Sequence, residues 1–192
     1  MITLIGDIHG HFNVYQRLIA NRTNTIQLGD FGVGFPSWMP FDLDLTHRFI
    51  RGNHDNPATC RDHPNCLGDY GYLAEKKIFY IGSAYSIDKE QRTVGVDWWD
   101  DEELSYLDLK AMMTLYASVK PYIVISHECP KEIFPYLGCP SFIPSRTQQA
   151  MDQLLKVHRP KYWIFAHYHV SVMQQVKNTL YTCLNIFETL DI

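Results

Sequence analysis

Asp7 and His9, and again His167 and His169, are pairs of metal-ligating residues two apart in the chain, and Asp30, the Asn53-His54-Asp55 run and His127 lie between them. Carboxylate, imidazole and amide oxygen in this mixture suit manganese, iron or zinc better than calcium or magnesium. Asp7, His9, Asp30, Asn53, His127, His167 and His169 are more ligands than one ion normally takes, so two ions sharing one carboxylate is the economical arrangement. Glycine stands beside several of them, at Gly6, Gly10, Gly29 and Gly52, and a residue without Cβ lets the chain turn sharply and approach an ion closely.

Five short apolar runs precede these residues: Ile2–Ile5, Thr25–Leu28, Arg48–Ile50, Tyr122–Ile125 and Tyr162–Phe165. Each is rich in Ile, Leu, Val or aromatic residues, as in a buried strand. Side chains two apart on a strand point the same way, so Asp7 with His9 and His167 with His169 are expected to face one volume. Helical patterns occupy Asn13–Ala20, part of Glu102–Val119, and Ser145–Val157. In the last, Ser145 precedes Gln148 by three, a capping-box spacing, and Pro160 stops the helix. Further strands are expected at Ile78–Ile81, Thr93–Val96 and Leu180–Leu184. Alternating strands and helices imply an α/β fold, in which ligands bind beyond the carboxyl ends of strands.

The 192 residues favour a single domain, 1–192. Hydrophobic residues make up 46% and charged residues 20%, enough for a substantial core. The formal net charge of -4 argues against an extended basic surface for nucleic acid, though not against a nucleotide held at metal ions. Five cysteines at irregular spacing, with no basic and apolar leader at the N-terminus, point to a reducing compartment and a cytoplasmic protein. No apolar run reaches the length of a membrane span. Oligomeric state is not legible.

Gly6-Asp7-Ile8-His9-Gly10, Gly29-Asp30, Gly52-Asn53-His54-Asp55, Ser126-His127 and Ala166-His167-Tyr168-His169 resemble, in order and spacing, the five blocks of the calcineurin-like metallophosphoesterase superfamily. Ser86-Ile87-Asp88-Lys89, Trp98-Trp99 with Glu102-Glu103-Leu104, and Ser145-Arg146-Thr147 resemble small bacterial and phage members; the expected location stays cytoplasmic, the host's cytoplasm if the chain is phage-encoded. The resemblance implies a four-layer α/β/β/α sandwich of two mixed sheets flanked by helices. It implies a hydrolase of phosphate mono- or diesters, with a nucleotide or other small phosphate as substrate. The attacking group would be a metal-bridged hydroxide. The cofactor would be two divalent ions, manganese first, with iron, zinc or nickel as alternatives. Asp7, His9 and His169 would hold one ion, Asn53, His127 and His167 the other, and Asp30 would bridge them. His54 would sit beside the metals as the catalytic acid, with Asp55 orienting it or bracing its loop.

Two ions about 3.5–4 Å apart can clamp an in-line displacement and lower the pKa of a water from ~15.7 towards ~7. Their charge, reduced by two carboxylates and a hydroxide to roughly +1, draws phosphate into an acidic protein. Asn53 would also contact the phosphoryl oxygens, and Arg51, Arg92 and Arg146 are candidate phosphate contacts. His11, His47, His63 and His158 read as structural, as does the Cys60–Cys66 pair around His63. Trp98 and Trp99 read as packing, and Cys129 has no assigned role. Asp42, Asp44 and the acidic run Asp97, Asp100, Asp101, Glu102 and Glu103 read as a solvated loop and helix start. The stretches Phe31–Pro40 and Glu128–Pro144 are of a length that often shapes substrate choice. Phe31-Gly32 follows Asp30 where the protein-phosphatase branch has a further Asp and an Arg, which counts against that activity. Alternative readings are a broad-tolerance protein phosphatase and a catalytically silent binding scaffold.

Overall fold

The structure is a computed structural model that describes residues 1–35, 43–138 and 145–192. In chain order the described elements are β1 (Thr3–Ile5), α1 (Phe12–Ile19), β2 (Thr25–Gln27), β3 (His47–Phe49), α2 (Pro57–Asp62), β4 (Tyr70–Leu73), β5 (Ile78–Ile81), α3 (Tyr106–Val119), β6 (Ile123–Ser126), α4 (Arg146–Val157), β7 (Tyr162–Phe165), β8 (Val172–Val176), β9 (Thr179–Cys183) and β10 (Thr189–Asp191). Short 3-10 turns at Ala74–Lys76, Lys89–Gln91 and Lys131–Tyr136 join some of them.

Two mixed sheets result. The first has the order β10-β1-β2-β3, with β1, β2 and β3 parallel and β10 antiparallel to β1. The second has the order β4-β5-β6-β7-β9-β8, with a parallel centre and antiparallel edges. Period-two alternation sends Leu4 inward and Ile5 outward. Leu4, Ile26, Leu28 and Ile50 thus meet Tyr80, Ile125, Ile164 and Leu184 between the sheets. Ile5 and Phe49 pack outward on Tyr15 of α1 and Cys60 of α2. On the far side Phe79, Val124, Trp163 and Tyr181 pack on Met112 and Tyr116 of α3 and on Met151 and Leu154 of α4. Three apolar seams separate four layers, the expected sandwich. In the second sheet the parallel strands β5, β6 and β7 carry nearly continuous apolar runs because both of their faces are covered.

Local chemistry sets the helix limits. Ser145 accepts from Gln148 N at 3.0 Å and Gln148 Oε1 accepts from Ser145 N at 3.4 Å, closing the expected capping box on α4. Ser105 caps α3 through Asp108 N, so the helix expected within Glu102–Val119 is a single one that starts at Tyr106. The acidic run before it is a structured loop. Thr93–Val96 is a turn, not a strand. Val96, Asp97 and Trp98 all direct their N–H groups to Thr93 O, and Gly95 takes φ +76°, which an extended strand does not accommodate. β4, β8, β10 and α2 were not expected, although Asn56 and Pro57 provide α2 with a capping residue and an N-terminal proline. Among the described residues no helix is long and apolar enough to cross a membrane.

Candidate metal centre

The loops after β1, β2, β3, β6 and β7 converge at the carboxyl ends of the strands. Strands β1 and β7 stop at Ile5 and Phe165, so Asp7, His9, His167 and His169 lie in turns, and strand alternation does not bring them together. Left-handed backbone does. His9 (φ 46°), Asp30 (54°), His167 (71°) and His169 (53°) all have positive φ. Such conformations cost about 1–3 kcal/mol each for non-glycine residues and cluster at functional sites. Backbone bonds from Ile8 N and His9 N to Asp30 O, at 3.1 and 2.7 Å, zip the first two loops together. Gly29 and Gly52 keep the centre open. A Cβ at Gly52 would overlap the Asp30 carboxylate and stand 2.7 Å from His127 Nε2, and one at Gly29 would run into the His127 ring.

Two ligand groups form around this framework, and they share one residue. Asp7, His9, Asp30 and His169 bring one donor atom each within 4.8 Å of one another, as do Asp30, His127 and His167. His169 Nε2 lies 2.8 Å from Asp7 Oδ2 and 2.9 Å from His9 Nε2. His9 Nε2 lies 3.6 Å from Asp7 Oδ2 and 3.9 Å from Asp30 Oδ2. The other Asp30 oxygen is 3.3 Å from His127 Nε2, and Asn53 Oδ1 is 3.2 Å from the same nitrogen. Asp30 Oδ1 also accepts from His54 N at 2.8 Å.

The donor set fits divalent cations. Asp7 Oδ2 is buried, and its neighbours are two imidazole nitrogens, His169 Nε2 at 2.8 Å and His9 Nε2 at 3.6 Å, a gathering of donor atoms that a cation would satisfy together. Burial works against charge on Asp30, but His127 and His54 hold its carboxyl well below the usual range. Burial likewise opposes a proton on His127, yet Asp30, Asp7 and the Leu28 carbonyl push it up to about 10. His167, half-buried and desolvated beside His127, is pushed down to about 4, so it offers a free lone pair at neutral pH. The carboxylates that favour positive charge on His127 would favour a cation at the same place.

Outer contacts aim these groups. His127 Nδ1 donates to Leu28 O at 2.7 Å, which turns Nε2 towards Asp30 and leaves it as the nitrogen available to a cation. Asn53 Nδ2 donates to Ser86 Oγ at 3.0 Å, and Ser86 in turn donates to Glu102. Asp55 accepts from the backbone N–H groups of Gly32, Gly52, Val33 and Phe31 at 2.7, 2.8, 2.9 and 3.2 Å. These bonds pin the loops after β2 and β3 to each other. They are bracing contacts and none reaches the His54 ring. Gln148 and Tyr168 donate to Glu128, fastening the loops after β6 and β7 to α4.

His54 lies beside the first group, its ring centroid 5.2 Å from that of His9, with Phe35 stacked on it at 6.1 Å. Arg92 brings Nη1 and Nη2 to 3.1 and 2.7 Å of the His54 ring nitrogens and pairs through Nε with Asp88 at 2.9 Å. Burial lowers the His54 pKa, and Arg92 adds to the effect against the pull of Asp30.

The structure separates the three arginines. Arg92 reaches the centre. Arg51 is buried and directed elsewhere, with Nε 2.5 Å from Asp69 Oδ1 and Nη1 donating to Glu102 O at 2.6 Å. Arg146 lines a cleft between α3 and α4 beside Tyr106, and its Nε lies 3.9 Å from Glu103. Among the described residues, the groups of three or more potential ligands are the two around Asp30, and Cys60, His63 and Cys66 are not gathered into another. His63 Nδ1 accepts from Asn65 N, His47 pairs with Thr25 and His158 with Pro121 O, and His11 packs edge-on against Phe187. Cys129 is buried in the α3/α4 core. Trp99 is buried against Phe35. Asp42, Cys139 and parts of the Phe31–Pro40 and Glu128–Pro144 stretches lie outside the described residues.

One reading of the acidic run needs correction. Glu102 is buried, not solvated, and Glu103 accepts from Thr147 N and Oγ1. Neither Ser86 nor Glu102 was expected to support Asn53, because a serine and a glutamate in polar stretches carry no mark of such a contact.

The calcineurin-like phosphoesterase family model matches residues 1–171, and the chain belongs to that family. Its members carry out metal-dependent hydrolysis of phosphoesters, which agrees with the clustered carboxylate and imidazole donors. No curated protein matches the sequence. Among solved structures, the chain resembles the anchor of the Plasmodium inner membrane complex at a TM-score of 0.52 and 13% identity, covering 95% of this chain and 70% of that one. It resembles a putative 5'-nucleotidase from Staphylococcus aureus at 0.50 and 13%, covering 96% of this chain and 48% of that one. A phosphopantetheinyl hydrolase from Mycobacterium tuberculosis aligns at 0.48 and 12%, covering 96% and 90%. At such identities the likeness is one of fold.

Proposed function

We propose that residues 1–192 form one domain that hydrolyses small phosphate mono- or diesters, nucleotides among them, with two divalent cations. The observation that carries this reading is the pair of ligand groups meeting on opposite oxygens of Asp30. Asp7, His9 and His169 would hold one ion, and Asn53, His127 and His167 the other, with Asp30 between them. Bound there, the ions would activate a water and neutralise phosphoryl oxygens, and manganese is the first candidate for this nitrogen-rich and oxygen-rich set.

The chain's own residues supply the rest. His54 is placed to hand a proton to the departing oxygen. Arg92 beside it disfavours the imidazolium, and an arriving phosphate would give that guanidinium a second anionic partner besides Asp88. Asn53 Nδ2 uses one N–H on Ser86 and keeps a second for a phosphoryl oxygen. Asp55 holds the loops and takes no part in proton transfer. Arg51, committed to Asp69 and Glu102, drops out as a phosphate contact, and Arg146 belongs to a different face.

Turnover of p-nitrophenyl phosphate and bis-p-nitrophenyl phosphate by the full chain reconstituted with Mn, Ni, Zn or Mg tests this reading. Hydrolysis of either with Mn supports it. Bound metal with activity on neither favours a binding scaffold, and efficient release of phosphate from phosphopeptides alone favours a protein phosphatase.

A further inference from the structure

Asn53 presents a symmetry problem. Its side chain can ligate a cation only through Oδ1, yet a half-turn of the amide would present Nδ2, a donor, with almost no change of shape. The centre needs a device that tells the two ends apart. Asn53, Ser86 and Glu102 are 2%, 1% and 3% exposed, so water does not serve as a substitute partner.

We propose that Glu102 and Ser86 form a polarity relay that fixes which end of Asn53 faces the metals. Glu102 accepts from Ser86 N at 2.9 Å through Oε1 and from Ser86 Oγ at 2.5 Å through Oε2. A carboxylate only accepts, so the Ser86 hydroxyl proton is committed to it. Ser86 Oγ then has only lone pairs left for its other neighbour. That neighbour must donate, so Asn53 turns Nδ2 to Ser86 at 3.0 Å and Oδ1 to His127 Nε2 at 3.2 Å. Glu102 is anchored for the task by its own carbonyl, which receives Arg51 Nη1 at 2.6 Å. Arg51 and Asn53 sit two apart on one loop. Glu102 therefore sets both the position of the loop and the orientation of its ligand. It touches neither metal site and is a positioning residue. This inference rests on the two-ion reading above.

Replacing Glu102 by Gln keeps the shape and reverses the logic. With the oxygen of the new amide still accepting from Ser86 N, its nitrogen donates to Ser86 Oγ. The hydroxyl proton is released towards residue 53, and the Asn53 amide is driven to flip. Mn titration calorimetry on the full, chelator-stripped chain is the test. The wild type is expected to take up two ions. Glu102→Gln is expected to keep the ion at Asp7, His9 and His169 and to weaken the other about 10–100-fold, the usual size of an outer-contact loss. Asp at position 53 has two equivalent oxygens and welcomes the released proton. Asn53→Asp is therefore expected to restore the second ion in the Glu102→Gln background and to do so better than with Glu102, where two carboxylates compete for one proton. A purely structural role for Glu102 predicts no such rescue. If Glu102→Gln unfolds, Ser86→Ala, which removes only the relaying hydroxyl, should weaken the same single ion. Two ions bound with wild-type affinity by the substituted proteins, or no rescue by Asn53→Asp, overturns the relay. A wild type that takes up no cation overturns the two-ion reading itself.

Discussion

At residue scale, His54 separates two kinds of contribution: it lies against His9 and Arg92 but outside both ligand groups. His54→Ala should therefore retain both metals while slowing esters whose leaving group needs a proton by about 10²–10⁴-fold. The p-nitrophenyl esters, whose leaving group departs without help, should lose far less. Rates across a leaving-group series, with metal content measured in parallel, check this, and a uniform loss would remove the acid role. The ligand-type residues were legible because Asp, His and Asn recur at fixed places behind apolar runs. The means of their convergence was not. Positive φ at His9, Asp30, His167 and His169 is a property that tertiary contacts impose on residues that do not favour it. For the same reason Asp55 could be seen in the sequence but not assigned: only coordinates show four backbone N–H groups closing on its carboxylate.

Elements were legible where local chemistry and packing agree. Helix α4 has its capping box and its stop in sequence, and both appear in the fold. Replacing Ser145 by Ala removes the acceptor for Gln148 N and should cost about 1 kcal/mol of stability, visible as a lower urea midpoint at unchanged slope. Activity should change little, unless the α4 contact of Gln148 with Glu128 carries the loss to the His127 loop. Strands β4, β8 and β10 escaped notice because they are edge strands. With one side unpaired they need no unbroken apolar run, and Val-Met-Gln-Gln-Val at β8 alternates only weakly. Thr93–Val96 erred the other way: β-branched residues suggested a strand, and Gly95 with the Thr93 carbonyl made a turn.

On the scale of the whole molecule, buried charge links stability to pH. Burial alone would raise the Asp69 carboxyl, but Arg51 and Arg61 hold it below its ordinary value. A carboxyl depressed in the folded state stabilises the protein above its unfolded pKa of about 3.9. That contribution disappears as pH falls through the folded value. Asp69→Asn should thus reduce stability at neutral pH and flatten the acid limb of the denaturation profile below about pH 4. Equal steepness in mutant and wild type would show that Arg51 and Asp69 contribute no net free energy. The layered architecture itself was expected from the resemblance of the five blocks, while strand order and the unequal sheets, four strands against six, were not.

Ownership of the centre is divided between the sheets. Asp7, His9, Asp30 and Asn53 follow strands of the four-stranded sheet, whereas His127, His167 and His169 follow strands of the six-stranded one. Under the proposed assignment each cation would draw donors from both, so loading would rivet two layers otherwise joined by apolar contact and by loop hydrogen bonds such as His127 to Leu28. Amide hydrogens of β1, β2, β6 and β7 should then exchange as one cooperative unit in the loaded protein and as two after chelation, making the ions mechanical fasteners as well as reagents.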